Sequence, residues 1–287
     1  MTSADLYLTQ NIREILNTGT LDVNPRPKYP DGTPAHTLFV THNVRTYYLY
    51  KEFPICTLRP IAWKTAIKEI LWIYQDQSSS LDVLKNKYNV HYWDSWESKD
   101  CPKTIGQRYG ATVKKYDLLN NLIKDIKTNP YGRRHIMSLW QEDDFKQTDG
   151  LLPCAFMTIW TVRGEYLDMV LIQRSGDMLA ASGAGGINEV QYAALQMMVA
   201  KATGYKPGKF THFVANEHIY DRHKEAACEL LNRVDDIKIN DKYTYDFNTV
   251  RLNFNPKSDN FYDFSIDDFS IENYNPQKPQ LKLELGI

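Results

Sequence analysis

The sequence predicts an α+β fold in a single domain, and three observations carry that expectation. A chain of 287 residues with 43% hydrophobic and 24% charged side chains can bury a substantial core in one unit. Residues 150–177 read as a β-hairpin: an alternating apolar run follows Pro153-Cys154, reverses near Arg163-Gly164 and returns to Gln173-Arg174-Ser175. Helical periodicity recurs on both sides of this hairpin, and no repeats, linkers or low-complexity tracts divide the chain.

Taken in order, residues 4–17 carry a helical pattern, and the breaker-rich segment 19–34 that follows is a loop containing Arg26. Residues 36–50 alternate as a strand or strand pair. The next clear helix spans about 62–74, with Ala62, Ala66, Glu69 and Ile73 on one face and Lys64, Lys68 and Gln75 on the other. Further helices are expected at 80–89 and 115–128, separated by a helix-poor stretch holding Trp93, Trp96 and Tyr109. After the turn Tyr131-Gly132 come Arg133 and Arg134. Beyond the hairpin, 178–186 reads as a small-residue loop and 188–203 as an apolar helix stopped by Gly204. A short strand at 210–214 precedes a helix expected to carry His218, Tyr220 and His223. The tail from Lys238 alternates strands with Asn/Asp/Pro turns.

Composition narrows the function. A net charge of -1 provides no global field toward nucleic acid or a membrane surface. The four cysteines, Cys56, Cys101, Cys154 and Cys228, are scattered without CxxC or short Cys/His spacing, which argues against zinc and for a reducing, cytoplasmic compartment. The N-terminus lacks a basic-then-apolar signal pattern, and no apolar run approaches the roughly 18 residues of a membrane span. The glycines at 183–186 follow neither GxGxxG nor the P-loop pattern, and His218 and His223 lack the HExxH spacing of a metal site.

The two ends of a hairpin lie side by side, so Cys154 and Arg174 are expected to be neighbours. A guanidinium beside a thiol favours the thiolate and would lower its pKa below about 8.5. The same pair also reads as a small core cysteine and an edge-strand charge. Glu69 faces inward, where a bare carboxylate costs several kcal/mol, so it must be ion-paired, hydrogen-bonded or put to functional use. Arg133-Arg134 suits a phosphate or a solvated surface, and the aromatics suit ligand contact or a structural cluster.

The chain resembles the thymidylate synthase family over nearly its whole length. The resemblance rests on AIKEILWIY, WDSW, GRRHI, LLPCAF, LIQRSGD, NEHIYDRH and FYDFSIDDFSIENYNP, standing in the family's order. It implies a mixed β-sheet packed with helices, a sheet-mediated homodimer, and a single catalytic domain over residues 1–287. It also implies reductive methylation of dUMP to dTMP, with 5,10-methylenetetrahydrofolate giving the one-carbon unit and hydride and leaving as dihydrofolate. The chain departs from the family's common pattern at Ala155, in the loop before Asn188, and at Asn216-Glu217.

By the same resemblance, Cys154 adds to C6 of uracil with Arg174 beside it, Glu69 organises water near O4, Tyr109 stands near C5, and Asn188 reads the O4/N3 edge. Arg26, Arg174, Ser175 and, from the other subunit, Arg133 and Arg134 hold the phosphate, while His218 and Tyr220 meet the ribose. Trp93, Asp177, Arg59 and Ile287 fall at the folate. Two rivals stay open: a dUMP/dCMP hydroxymethylase on this fold, and a nucleic-acid-binding regulator, with an RNA contact compatible with catalysis.

Overall fold

The first helix starts where a capping box can form. Thr2 Oγ1 accepts from the Asp5 amide at 3.1 Å, and Asp5 Oδ2 accepts from the Thr2 amide at 2.8 Å. Helix α1, Ser3–Thr18, then buries Ala4, Leu8, Ile12 and Ile15 at spacings of three and four. The computed structural model describes residues 1–240 and 249–286, those at 235–240 by backbone alone.

The helices continue as α2 (Trp63–Ile70), α3 (Leu81–Tyr88), α4 (Gly110–Lys115), α5 (Leu118–Thr128), α6 (Glu142–Phe145), α7 (Ile187–Thr203) and α8 (Lys224–Asn240). The strands are β1 (Thr20–Leu21), β2 (Thr37–Tyr48), β3 (Ile136–Ser138), β4 (Ala155–Arg163), β5 (Tyr166–Gln173), β6 (Gly176–Asp177), β7 (Lys206–Tyr220), β8 (Arg251–Phe254) and β9 (Phe269–Glu272). Among the described residues, seven strands form one sheet in the order β1-β2-β7-β5-β4-β3, with β6 beside the end of β7. Strands β5 and β6 run parallel to β7 while the other pairings are antiparallel, so the sheet is mixed as expected. Strands β8 and β9 form a separate two-stranded sheet.

Helix α7 is buried on nearly every side, as an apolar helix at a domain centre should be. It lies against α2 and the inner face of the sheet, where the cross-strand row Leu171, His212 and Arg45 is fully enclosed. The opposite face of the sheet is half-exposed. Cross-strand partners share a face, so Ile159 and Val170 form one apolar row there, and Ile172, Phe213 and Val44 form the next.

Several expectations need correction. The strand expected at 210–214 runs instead from Lys206 to Tyr220, which puts His218 and Tyr220 on β7 and delays the helix to Lys224. The polar residues beyond the expected strand, Asn216 and Glu217, stay in the ladder because β2 pairs with both and β6 pairs with Glu217 from the other side. The helix expected over 62–74 loosens into a π-helical turn at Leu71–Gln75. The helix at 115–128 is two, broken at Asp117, whose φ is 49°. The small-residue loop holds a π-helical turn, Met178–Ser182, started by Asp177 Oδ1 accepting from the amides of Leu179 and Ala180. The part of the tail at 241–248 lies outside the described residues.

Candidate active site

Hairpin closure brings Cys154 and Arg174 together. The Arg174 amide donates to the Cys154 carbonyl at 2.9 Å, and Arg174 Nη2 lies 3.5 Å from Cys154 Sγ. The guanidinium is held in place because Nε donates to the Pro153 carbonyl at 3.0 Å and Nη2 to the Leu152 carbonyl at 2.8 Å. A bulge between Ala155 and Met157 frees the mouth of β4 from regular pairing at this point. The expected depression of the thiol pKa is not found. Burial pushes the Cys154 thiol up, and the opposing fields of Arg174 and Arg26 do not offset it.

A cavity of about 60 Å³, the volume of roughly two waters, opens beside this sulfur. Glu69, Ile73, Trp93, Tyr109, Ala155, Asn188, Gln191 and Tyr192 line it together with Cys154. Glu69 comes from the last turn of α2 and is 6% exposed. Its Oε2, Trp93 Nε1 and Gln191 Nε2 are buried without a well-formed hydrogen bond, although the indole and the amide both face the carboxylate closely enough to favour its charged form. Burial raises the Glu69 carboxyl to about 7, although Gln191 and Trp93 pull it down.

Tyr109 takes the cap position of α4 with a φ of 46°, and this turns its phenol inward. Its hydroxyl accepts from the Cys154 amide at 3.3 Å, and its ring meets Trp93 edge-on at 5.2 Å. Burial, reinforced by Cys154, holds the phenol well above its usual pKa. The aromatics therefore do both things the sequence suggested: Trp93 packs on Trp72, Trp96 and Tyr109 and also lines the cavity, whereas Trp96 only packs.

Asn188 stands in the first turn of α7, on the cavity. The loop that delivers it turns at Gly185, whose φ is +66°, and a Cβ there would sit 2.2 Å from the Cys56 amide nitrogen. Asn188 Oδ1 accepts from Ser182 Oγ at 3.0 Å and Gln173 Nε2 at 3.3 Å, while Nδ2 donates to Gln191 Oε1 at 3.0 Å.

Around this centre, Arg26 is exposed on its loop, and its charge reaches Cys154 and Tyr220. Ser175 follows Arg174, and its carbonyl accepts from Gln173 Nε2 at 2.9 Å. His218 is 9% exposed, bonds Asn216 Oδ1 at 3.0 Å and meets Tyr220 edge-on at 5.3 Å. Asp177 keeps Oδ2 buried and unpartnered; burial pushes its carboxyl up, but His223 and His218 outweigh that and leave it below the usual range. Arg59 is enclosed at 5% exposure with Nε unpartnered, so an anion would have to enter the protein to meet it. Arg133 and Arg134 are exposed and line a separate groove of about 530 Å³ with Asp125, Asn129, Tyr131 and His135. Within one chain they do not join the cavity at Cys154. Ile287 lies outside the described residues, but Gly286 rests on Tyr220 and Ala35.

Sequence reasoning put Ile73 on the face of Glu69 but missed Gln191 and Tyr192 on the cavity wall and Gln173 and Ser182 behind Asn188. Gln191 was within reach of inference, standing three residues after Asn188 on one helix. Among the described residues no cluster of three or more His, Cys, Asp or Glu could hold a metal ion. None of their helices is long and apolar enough to cross a membrane.

A family model described as thymidylate synthase matches residues 6–287. The chain is 53% identical over 293 residues to a thymidylate synthase of Streptococcus pneumoniae (strain 70585), covering 100% of both proteins. It is 50% identical over 293 residues to that of Streptococcus sanguinis (strain SK36), again over 100% of both. Among solved structures it resembles the thermostable thymidylate synthase A from Bacillus subtilis, with a TM-score of 0.86, 35% identity and 99% coverage of each chain.

Proposed function

The chain belongs to the thymidylate synthase family and is a methyltransferase that converts dUMP to dTMP; from that premise we propose that Cys154 is its nucleophile and the 60 Å³ cavity its proton-handling centre. The observation that carries this reading is a thiol and a buried carboxyl on the wall of one cavity, with a fixed guanidinium 3.5 Å from the sulfur.

Uracil C5 becomes nucleophilic only after something adds at C6. Cys154 Sγ forms the bond to C6, and the C5–C6 electron pair moves through C4 onto O4 as an enolate. Because burial keeps the free thiol protonated, its proton passes to the water the cavity can hold, with Glu69 as the nearby base, as the S–C6 bond forms; Arg174 at 3.5 Å stabilises the sulfur's charge at that moment. Glu69, poised near neutrality, moves protons at O4 through the water the cavity can hold. Tyr109 stands at the C5 proton, and Asn188 offers its amide to the O4/N3 edge.

Arg26, Arg174 and Ser175 hold the phosphate from within the chain, and His218 and Tyr220 meet the 3′-hydroxyl. The co-substrate, 5,10-methylenetetrahydrofolate, supplies the one-carbon unit and the hydride. The unpartnered Asp177 Oδ2 suits a pterin N–H and Trp93 forms a wall, whereas enclosed Arg59 could meet a folate carboxylate only if that group entered the protein, and Ile287 is assigned to the folate by the resemblance alone. Arg133 and Arg134 complete the phosphate site from a second copy docked through the half-exposed apolar face of the sheet, which makes the dimer part of the mechanism. A catalytic thiol suits the reducing cytoplasm.

The hydroxymethylase and the nucleic-acid regulator are not favoured, since relatives covering the whole chain carry the synthase name. Incubation with dUMP and the folate should raise the absorbance of dihydrofolate. Cys154→Ser should still bind dUMP but lose turnover by roughly three orders of magnitude or more. A hydroxymethyl product without dihydrofolate would overturn the assignment.

A further inference from the structure

Beneath Asn188 lies a fully buried group of charges that the reaction described above does not use. Arg45 Nε reaches Glu189 at 2.6 Å, its Nη1 reaches Glu217 at 2.6 Å, and its Nη2 lies 3.0 Å from His212 Nδ1. His212 Nδ1 also stands 3.0 Å from Glu189 Oε1, and its Nε2 faces Gln173 Oε1 at 3.0 Å. Glu189 is the chain neighbour of Asn188 and takes the Gly185 amide at 2.7 Å, so this group also pins the loop before α7.

The direction of every hydrogen bond from here to the cavity follows from one backbone carbonyl. Ser175 O can only accept, so the end of Gln173 lying 2.9 Å from it is the amide nitrogen. Gln173 Oε1 therefore faces His212, and His212 Nε2 must carry a proton. The other N–H of Gln173 donates to Ser182 Oγ at 2.7 Å, which sends the Ser182 proton to Asn188 Oδ1 at 3.0 Å. Asn188 Nδ2 then donates to Gln191 Oε1 at 3.0 Å, and the unpartnered Gln191 Nε2 is left beside Glu69. Four hydrogen bonds thus link five side chains in one direction, and such chains strengthen each member.

We propose that His212 is a positioning residue: through this one-directional chain it fixes the Asn188 amide with its oxygen inward and a spare N–H toward the cavity, so that the site prefers a 4-oxo to a 4-amino pyrimidine. The inference rests on the reading of Asn188 as the pyrimidine contact. Reversing the chain would put Gln173 Oε1 against the Ser175 carbonyl oxygen, acceptor against acceptor, which costs about what leaving a buried polar group unpaired costs. Burial keeps the His212 imidazole below its usual pKa despite Glu189, which suits a neutral Nε2–H ring accepting from Arg45 at Nδ1.

The test compares His212→Leu, which removes the donor, with His212→Gln, whose terminal N–H can replace Nε2–H. In folded His212→Leu the ratio of dUMP to dCMP affinity should fall about tenfold and KM for dUMP should rise more than kcat falls, whereas His212→Gln should stay within about twofold of the parent. Nitrogen-15 spectra of the unmodified protein provide a measure that needs no variant: a proton on His212 Nε2 is expected. A ring protonated only at Nδ1, an unchanged ratio in folded His212→Leu, or equal loss in both variants would overturn the proposal. Asn188→Asp, assayed in parallel, separates the two readings. If it leaves the preference for dUMP intact, the pyrimidine role of Asn188 falls, and the nitrogen-15 result alone then judges the chain.

Discussion

Glu69 shows how burial tunes a single group. Its carboxyl is drawn up to about 7 because the enclosed cavity desolvates the charged form more than Gln191 and Trp93 stabilise it. Between about pH 4.5 and 7 the folded protein therefore holds a proton that the unfolded chain has released, so this group makes folding less favourable as pH rises across that window. The total is on the order of 3 kcal/mol. Glu69→Gln should remove that slope from a stability-versus-pH curve measured by urea unfolding, while lowering kcat by roughly two orders of magnitude or more. A flat effect on both would mean that the carboxylate is only structural. The inward face of α2 made Glu69 legible in the sequence, since a carboxylate among Ala66 and Ile70 needs a reason. The direction of the Cys154 shift was not legible, because spacing shows which charge is near but not how many atoms exclude water.

At the scale of elements, α7 and β7 matter most to the proposed site because each carries a residue assigned to the substrate next to a buried carboxylate. Asn188 is followed by Glu189, and His218 is preceded by Glu217; both carboxylates close on Arg45 of β2. Burial pushes the Glu189 carboxyl up, yet Arg45 and His212 overcome it and bring it to about 2. Burial likewise opposes the Arg45 charge, and Glu217 and Glu189 reverse that. Arg45→Met should leave two buried carboxylates without their cation and cost about 3–5 kcal/mol, read as a lowered urea midpoint. A change below about 1 kcal/mol would show that the carboxylates find other partners. Periodicity predicted α7 to within a residue but truncated β7 at Val214. A strand pattern recognises apolar alternation, whereas Glu217 is kept inside by an arginine 172 positions away.

Among the described residues the molecule presents a half-exposed apolar sheet face, Val44, Ile159, Val170, Ile172 and Phe213, and keeps Arg133 and Arg134 away from the cavity at Cys154. Both features suit a symmetric dimer with shared phosphate sites. Mixing an Arg134→Ala chain with a Cys154→Ser chain should then restore about a quarter of the parent activity, since half the dimers formed at random carry one intact site of two. No recovery after subunit exchange, confirmed by sizing a tagged mixture, would mean that each chain is self-sufficient.

By itself the sequence determined the α+β class, the hairpin with Cys154 and Arg174 at its open ends, and the inward Glu69, because these depend on contacts within one or two elements. Only the tertiary structure decided how Gln173, Ser182, Gln191, His212 and Arg45 gather behind Asn188, and that burial dominates the thiol. Those outcomes depend on which distant side chains exclude water from a common space, and periodicity along a chain carries no record of that.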